Sequence, residues 1–151
     1  MGDTEFGGRP VPLLDAAGIF ELLRTSRTIA VVGASSNPAR PSNGVFRSLL
    51  RAGYQCVPVN PRETEVEGVP AVATLAEAAA ALGGAIDIVD VFRRPELTES
   101  IAREAVAGGA RALWLQLGVI NWETARIAAE GGLQVVMDRC TAIEIRRLPR
   151  G

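Results

Sequence analysis

The 151-residue chain contains no histidine, and its 16 cationic side chains are all arginine, so lysine is absent as well. Without an imidazole there is no Ser-His-Asp or Cys-His machinery, no phosphohistidine and no histidine metal ligand. Without lysine, Schiff-base chemistry and the lysine of a phosphate-binding P-loop are excluded. Cysteine is scarce: Cys56 and Cys140 make neither a spaced metal motif nor a disulfide framework, so no metal is expected and a reducing, cytoplasmic location is. An excess of one charge sign is also missing. With 16 cations against 17 carboxylates the formal net charge is -1, and no basic block interrupts the chain, which argues against nucleic acid as a partner. Arg146, Arg147 and Arg150 read as a solvated tail. Met1 to Val11 lacks the apolar core of a signal peptide and no run reaches membrane-spanning length, so no membrane partner is expected either. Any chemistry must come from carboxylates, hydroxyls, the two thiols or a bound cofactor.

What is present is a strong alternation of pattern. The hydrophobic fraction of 48% with 22% charged residues suits one globular domain. After a Gly/Pro-rich stretch read as a flexible leader (1–12), Asp15 caps a helix to Arg24, with Ile19, Leu22 and Leu23 at helical spacing. Thr28 to Gly33 is a short apolar run ending in glycine, the pattern of a strand buried on both faces. A turn of Ser, Asn and Pro leads to an amphipathic helix that Ser42 is expected to cap and Gly53 to stop. Further strands are expected at Tyr54 to Val59, Val69 to Val72, Ile86 to Phe92, Ala112 to Leu117 and Leu133 to Met137. Between and after them lie helices at Thr74 to Leu82, Pro95 to Ala107, Asn121 to Glu130 and Thr141 to Leu148. Strands separated by helices predict one doubly wound α/β domain over 13–151, a Rossmann-like parallel sheet of five to six strands.

Ligands of such sheets bind beyond the carboxyl ends of the strands, where strand order reverses. The first loop, Gly33-Ala34-Ser35 through Arg40 to Ser42-Asn43, places a glycine turn before a helix start, the arrangement of a pyrophosphate site. It departs from the dinucleotide fingerprint G-x-G-x-x-G, because Ser35 and Pro38 take the second and third glycine places. Where NAD sites carry an acid after the second strand, this chain has Asn60-Pro61-Arg62. An arginine there can grip a phosphate in a bidentate fork, which favours a nucleotide with an extra ribose phosphate: coenzyme A or NADP.

The segments Val31-Val32-Gly33-Ala34-Ser35, Arg40-Pro41-Ser42, Val57-Pro58-Val59-Asn60-Pro61-Arg62, Asp90-Val91-Phe92-Arg93, Trp114-Leu115-Gln116-Leu117-Gly118 and Asp138-Arg139-Cys140, in this order, resemble the small single-domain CoA-binding proteins. Their fold is similar to that of the CoA-binding domain of succinyl-CoA ligase, and the resemblance runs from about Asp15 to Leu148. It implies coenzyme A as the ligand. Its pyrophosphate would lie over Gly33, Ala34, Ser35 and the Ser42-Asn43 helix start near Arg40, its adenosine beside Asn60, Pro61 and Arg62, with Phe92 and Arg93 flanking the nucleotide and Gln116 and Gly118 nearer the pantetheine arm. The ligase's phosphohistidine chemistry does not carry over to a chain without histidine.

No catalytic constellation is evident. Asp87 and Asp90 point to opposite faces of one strand, so they form no acid-base pair. Cys140, beside Arg139 at an expected helix start, reads first as a half-buried packing cysteine held by Asp138-Arg139 and, as the alternative, as a redox thiol, and Cys56 reads as core. The chain is therefore expected to be a non-catalytic CoA or acyl-CoA carrier, sensor or partner module, acting as a homo-oligomer or beside a CoA-using enzyme. The alternative is an NADP-type, oxidoreductase-related nucleotide-binding domain.

Overall fold

The computed structural model describes residues 5–6 and 9–149. The central sheet has five parallel strands: β1 (Thr28–Val32), β2 (Gln55–Val59), β3 (Ile88–Val91), β4 (Ala112–Leu115) and β5 (Gln134–Val136). Their order is β2-β1-β3-β4-β5, so the chain moves outward in one direction from β1 to β2, then returns past β1 to build the rest. The helices are α1 (Ala16–Thr25), α2 (Pro41–Arg51), α3 (Leu75–Leu82), α4 (Glu99–Ala107), α5 (Trp122–Glu130) and α6 (Thr141–Arg146). This is the doubly wound α/β architecture expected from the alternation, as a single domain.

The strands are apolar on both sides because both sides are covered. Ile29, Val31, Ile88 and Trp114 face a core closed by α1 and α2, with Ile145 of α6 packed against it. Ala30, Val32, Val89 and Leu113 face the opposite core, built from the alanine-rich faces of α3, α4 and α5. Small residues let these helices approach the sheet closely. Trp114 is fully buried, and its indole N–H donates to the Arg139 carbonyl at 2.8 Å, so its polar edge ties β4 to the segment before α6.

Helix starts follow local chemistry. The side chains of Asp15, Thr74 and Asn121 each accept from a backbone N–H in the first turn of α1, α3 and α5. Three expectations need correction. Ser42 is not the cap of α2: Arg40 holds that position and Pro41 starts the helix, its fixed φ and missing N–H suiting the first turn. Pro95 to Ala107 is not one helix but a 3₁₀ turn (Pro95–Leu97) and then α4, because Thr98 bonds back to the Pro95 carbonyl at 2.7 Å. Val69 to Val72 adds no sixth strand; Val69–Pro70 pairs with Glu65–Val66, and only Val72 bridges to Val59.

Of the expected leader, residues 1–4, 7 and 8 lie outside the described residues; Glu5–Phe6 pairs with Arg9–Pro10, and Val11 is buried in the core. No described helix is long and apolar enough to cross a membrane.

The strand order reverses between β1 and β3, and there the two strand ends touch. Gly33 has φ +87°, and a Cβ on it would lie 2.3 Å from the Phe92 carbonyl oxygen. Gly53 has a similar φ of +96° but open space around it. Gly53→Ala should therefore cost about 1–2 kcal/mol, the left-handed penalty alone. Gly33→Ala should cost clearly more, because the β3 backbone must also move. Urea midpoints at constant slope measure both, and equal losses would show that the Phe92 carbonyl yields freely.

Candidate ligand-binding site

A cleft of about 740 Å³ opens over the carboxyl ends of β1, β2, β3 and β4. Gly33, Ser35, Arg40, Ser42, Asn60, Arg62, Phe92, Arg93, Gln116 and Cys140, all selected from the sequence, line it. Residues from five separate loops thus converge on the switch point. Pro41, Val45, Glu63, Leu117, Val119 and Ile143 complete the lining. Val45 and Ile143 sit on α2 and α6, and their place could be read only as helix faces, because nothing in the spacing says that these two helices meet at the cleft.

The first loop is braced from below. Ser42 Oγ accepts from the Ser35 N–H at 3.1 Å, and Asn43 Nδ2 donates to the Ser35 carbonyl at 3.0 Å and to Glu67 at 3.3 Å. Ser42 is thus a loop brace that also lines the cleft, while Asn43, fully buried, supports the loop without lining the cleft. Ala34 is also fully buried, and its carbonyl accepts from Asn60 Nδ2 at 2.9 Å. Asn60 Oδ1 accepts from the Arg62 N–H at 3.0 Å, so one amide joins the loops after β1 and β2. Ser36 donates its N–H and its hydroxyl to Glu63, at 2.6 and 2.8 Å. Those bonds, the backbone one foremost, hold the Glu63 carboxyl below its ordinary value.

Pro61 and Gly118 stand apart from the cleft lining. Pro61 lines a smaller adjoining hollow with Val32, Val59 and Leu97, and Arg93 borders both spaces. Gly118, at φ +85°, donates its N–H to Asp138 at 2.7 Å. Asp138 is thereby a loop clamp, its own φ of +61° being the left-handed conformation that Asp tolerates better than most residues.

The electrostatics are uneven along the cleft. Arg40, Arg62 and Arg93 are exposed and carry no salt bridge among the described residues, whereas Arg139 and Arg147 both pair with the buried Glu144, at 3.5 and 3.1 Å. One part of the cleft is therefore rich in unneutralised guanidinium groups. Leu117, Val119, Val45 and Ile143 make the remaining wall apolar. Cys140, half-buried, is the residue preceding the six-residue α6 and lines the cleft. Cys56 is core, and burial pushes its thiol up to about 12.

Beneath the floor lies a buried carboxyl group. Asp90 is fully buried, accepting from Gln116 Nε2 at 2.5 Å and from Thr141 Oγ1 at 3.1 Å. Burial outweighs both bonds and raises its carboxyl to about 7. Asp87, by contrast, accepts from the N–H groups of Arg27 and Thr28 at the opposite end of the strand.

The strand order and the cleft at its switch point place the chain among the doubly wound α/β proteins, whose ligand sites lie at the strand ends. The model of the CoA binding domain matches residues 27–146, and the chain belongs to that family. It is similar to the Bacillus subtilis (strain 168) protein YneT, 42% identical over 127 residues that make up 84% of this chain and 91% of the relative. Among solved structures, a hypothetical protein from Pyrococcus horikoshii OT3 aligns with TM-score 0.84 at 36% identity, over 93% of this chain and 96% of its own. The cell-free ID.343 protein of Thermus thermophilus aligns with TM-score 0.81 at 37% identity, over 89% and 98%.

The amide bridge between loops is directly testable. Asn60→Asp keeps the acceptor for Arg62 but sets a carboxylate against the Ala34 carbonyl. It should cost about 1–3 kcal/mol at neutral pH, the range for a buried acceptor losing its donor. Acidification should shrink the loss, since the protonated carboxyl can donate to Ala34. Denaturation at neutral and acidic pH gives the comparison, and a pH-independent loss would refute this account.

Proposed function

We propose that the chain binds coenzyme A or an acyl-CoA in the switch-point cleft, as a carrier, sensor or partner module without a reaction of its own. The observation that carries this reading is the set of exposed arginines, Arg40, Arg62 and Arg93, unpaired among the described residues and spread over three loops of one cleft. Guanidinium forks match phosphates bidentately, and coenzyme A presents a pyrophosphate and a separate ribose phosphate. The family membership supports the same ligand.

The residues fit the ligand in kind. Ser35, Ser42 and Arg40 would face the pyrophosphate, and Arg62 would hold the ribose 3′-phosphate with the adenosine beside Asn60 and Pro61. Phe92 offers an aromatic wall, and Arg93 a second phosphate partner. The apolar stretch of Leu117, Val119 and Ile143 suits the arm and an attached acyl group. A module of this kind would act in the cytoplasm beside CoA-using enzymes or as a homo-oligomer.

Thermal shifts with CoA, dephospho-CoA and NADPH test the proposal. A ligand at ~100 Kd adds about 2.7 kcal/mol of stability, a readily measured shift. CoA should stabilise more than dephospho-CoA, and stabilisation by NADPH with none by CoA would favour the NADP-type alternative and end the CoA reading. In Arg62→Ala the advantage of CoA over dephospho-CoA should vanish, amounting to about 1.5–3 kcal/mol for a lost charge-assisted pair. An advantage that survives the substitution would move the phosphate to another arginine.

A further inference from the structure

Gln116, Asp90 and Thr141 form a closed side-chain network under the cleft, and with Asp90 ionised its hydrogen bonds can run only one way. Gln116 Nε2 donates one proton to Asp90 Oδ1 at 2.5 Å and the other to Thr141 Oγ1 at 2.8 Å. Thr141 passes its own proton to Asp90 Oδ2 at 3.1 Å. An ionised carboxylate can only accept, so it fixes which way the Gln116 amide faces. Both amide protons are thereby used, and Oε1 is the polar atom left over on a residue that lines the cleft. Oε1 has no protein donor among the described residues.

We infer that Asp90 is a positioning residue: it orients Gln116 so that the cleft presents a hydrogen-bond acceptor, which selects a ligand arm bearing amide N–H groups. This deepens the CoA reading and rests on it, since the pantetheine arm carries secondary amides. The polar wall elsewhere carries the guanidinium groups of Arg40, Arg62 and Arg93, and its one carboxylate, Glu63, is engaged by Ser36, so the acceptor of Gln116 is set apart from the phosphate-gripping donors. An arm offering only acceptors would leave Oε1 desolvated and unpaired.

The same network makes the acceptor dependent on pH. The Asp90 carboxyl is raised to about 7 by burial, so its protonated form accumulates as pH falls through neutrality. A protonated carboxyl can donate, and the Gln116 amide is then free to turn over and present N–H to the ligand. Few other charged or titratable groups stand near Asp90, the Cys140 thiol before Thr141 among them. The Cys56 thiol on β2, pushed up to about 12, is neutral; Glu144 on α6 is paired with Arg139 and Arg147; the buried residues of α1 and α2 include no titratable side chain. Arg93, on the loop after β3, is exposed.

Calorimetry with CoA and with adenosine 3′-phosphate 5′-diphosphate, which carries phosphates without the arm, isolates the effect. Asp90→Asn puts an amide at position 90 that can donate to Gln116 Oε1, so the orientation of Gln116 is no longer fixed, and it should weaken CoA about tenfold while leaving the armless nucleotide unchanged. The double variant Asp90→Asn with Gln116→Glu should restore CoA binding, because the amide introduced at position 90 can donate to one oxygen of the introduced carboxylate and leave the other facing the cleft. For the unsubstituted protein the ratio of CoA to nucleotide affinity should fall as pH drops through about 7. Equal weakening of both ligands, or no weakening of either, would overturn the assignment. An independent readout needs neither ligand nor variant: the Gln116 side-chain amide resonances should titrate with Asp90 in the free protein, and a flat response across the roughly two pH units on either side of its midpoint would also overturn it. If the unsubstituted protein binds no CoA, the CoA reading fails, and the amide titration still decides whether Asp90 sets the orientation of Gln116.

Discussion

The missing side chain at Gly33 is the constraint on which the site depends. The strand order reverses between β1 and β3, and at that reversal the chain leaving β1 passes against the Phe92 carbonyl with no room for a Cβ. The close approach is locked by backbone bonds on both sides: Gly33 N–H to Val59 O at 2.9 Å and Phe92 N–H to Val32 O at 2.8 Å. The ends of β2, β1 and β3 are thereby drawn level, and the side chains that follow them, Arg62 and Arg93, border one cleft. A bulkier turn would separate these loops and with them the charges that make the cleft attractive to anions.

Rigidity of the loops follows from side chains more than from regular structure. Ser42 and Asn43 hold Ser35, Asn60 holds Ala34, Glu63 holds Ser36, and Asp138 holds Gly118. Each bond satisfies a backbone group that the turn leaves without a helix or sheet partner. A cleft assembled in this way before any ligand arrives spares part of the ordering cost of association. The long arginine side chains are the exception, exposed and unpaired among the described residues, so their ordering would fall to whatever the cleft binds.

Much of this was legible in the residue order. Buried parallel strands show themselves as apolar β-branched runs, and their ends are marked by Gly33, Asn60 and the arginines, so the strand-end rule led directly to most of the cleft lining. What escaped depends on contacts between segments distant in sequence. Val45 and Ile143 belong to helices whose meeting is set by tertiary packing, and helical periodicity assigns a face without assigning its neighbour. The apolar pair Val69 and Val72 has the look of a strand, but Val69 turns back onto Val66 instead of joining the sheet. Asp90 carried the plainest signal that went unused: a carboxylate inside a strand buried on both faces must have partners, and Gln116 and Thr141, at the ends of two other segments, are those partners.

The lack of histidine and lysine gains a specific meaning from this geometry. Arginine offers planar forks of donors, so three exposed arginines make this wall of the cleft suited to anions. Glu63 is held ionised by Ser36. Asp90, raised to about 7, has the proton affinity a general acid or base would need, yet it lies wholly beneath the floor, with both oxygens engaged by Gln116 and Thr141. Its proton reaches the ligand only as a change in which end of the Gln116 amide faces outward. A proton bound there acts on the hydrogen bonding beneath the floor, through Gln116 and Thr141.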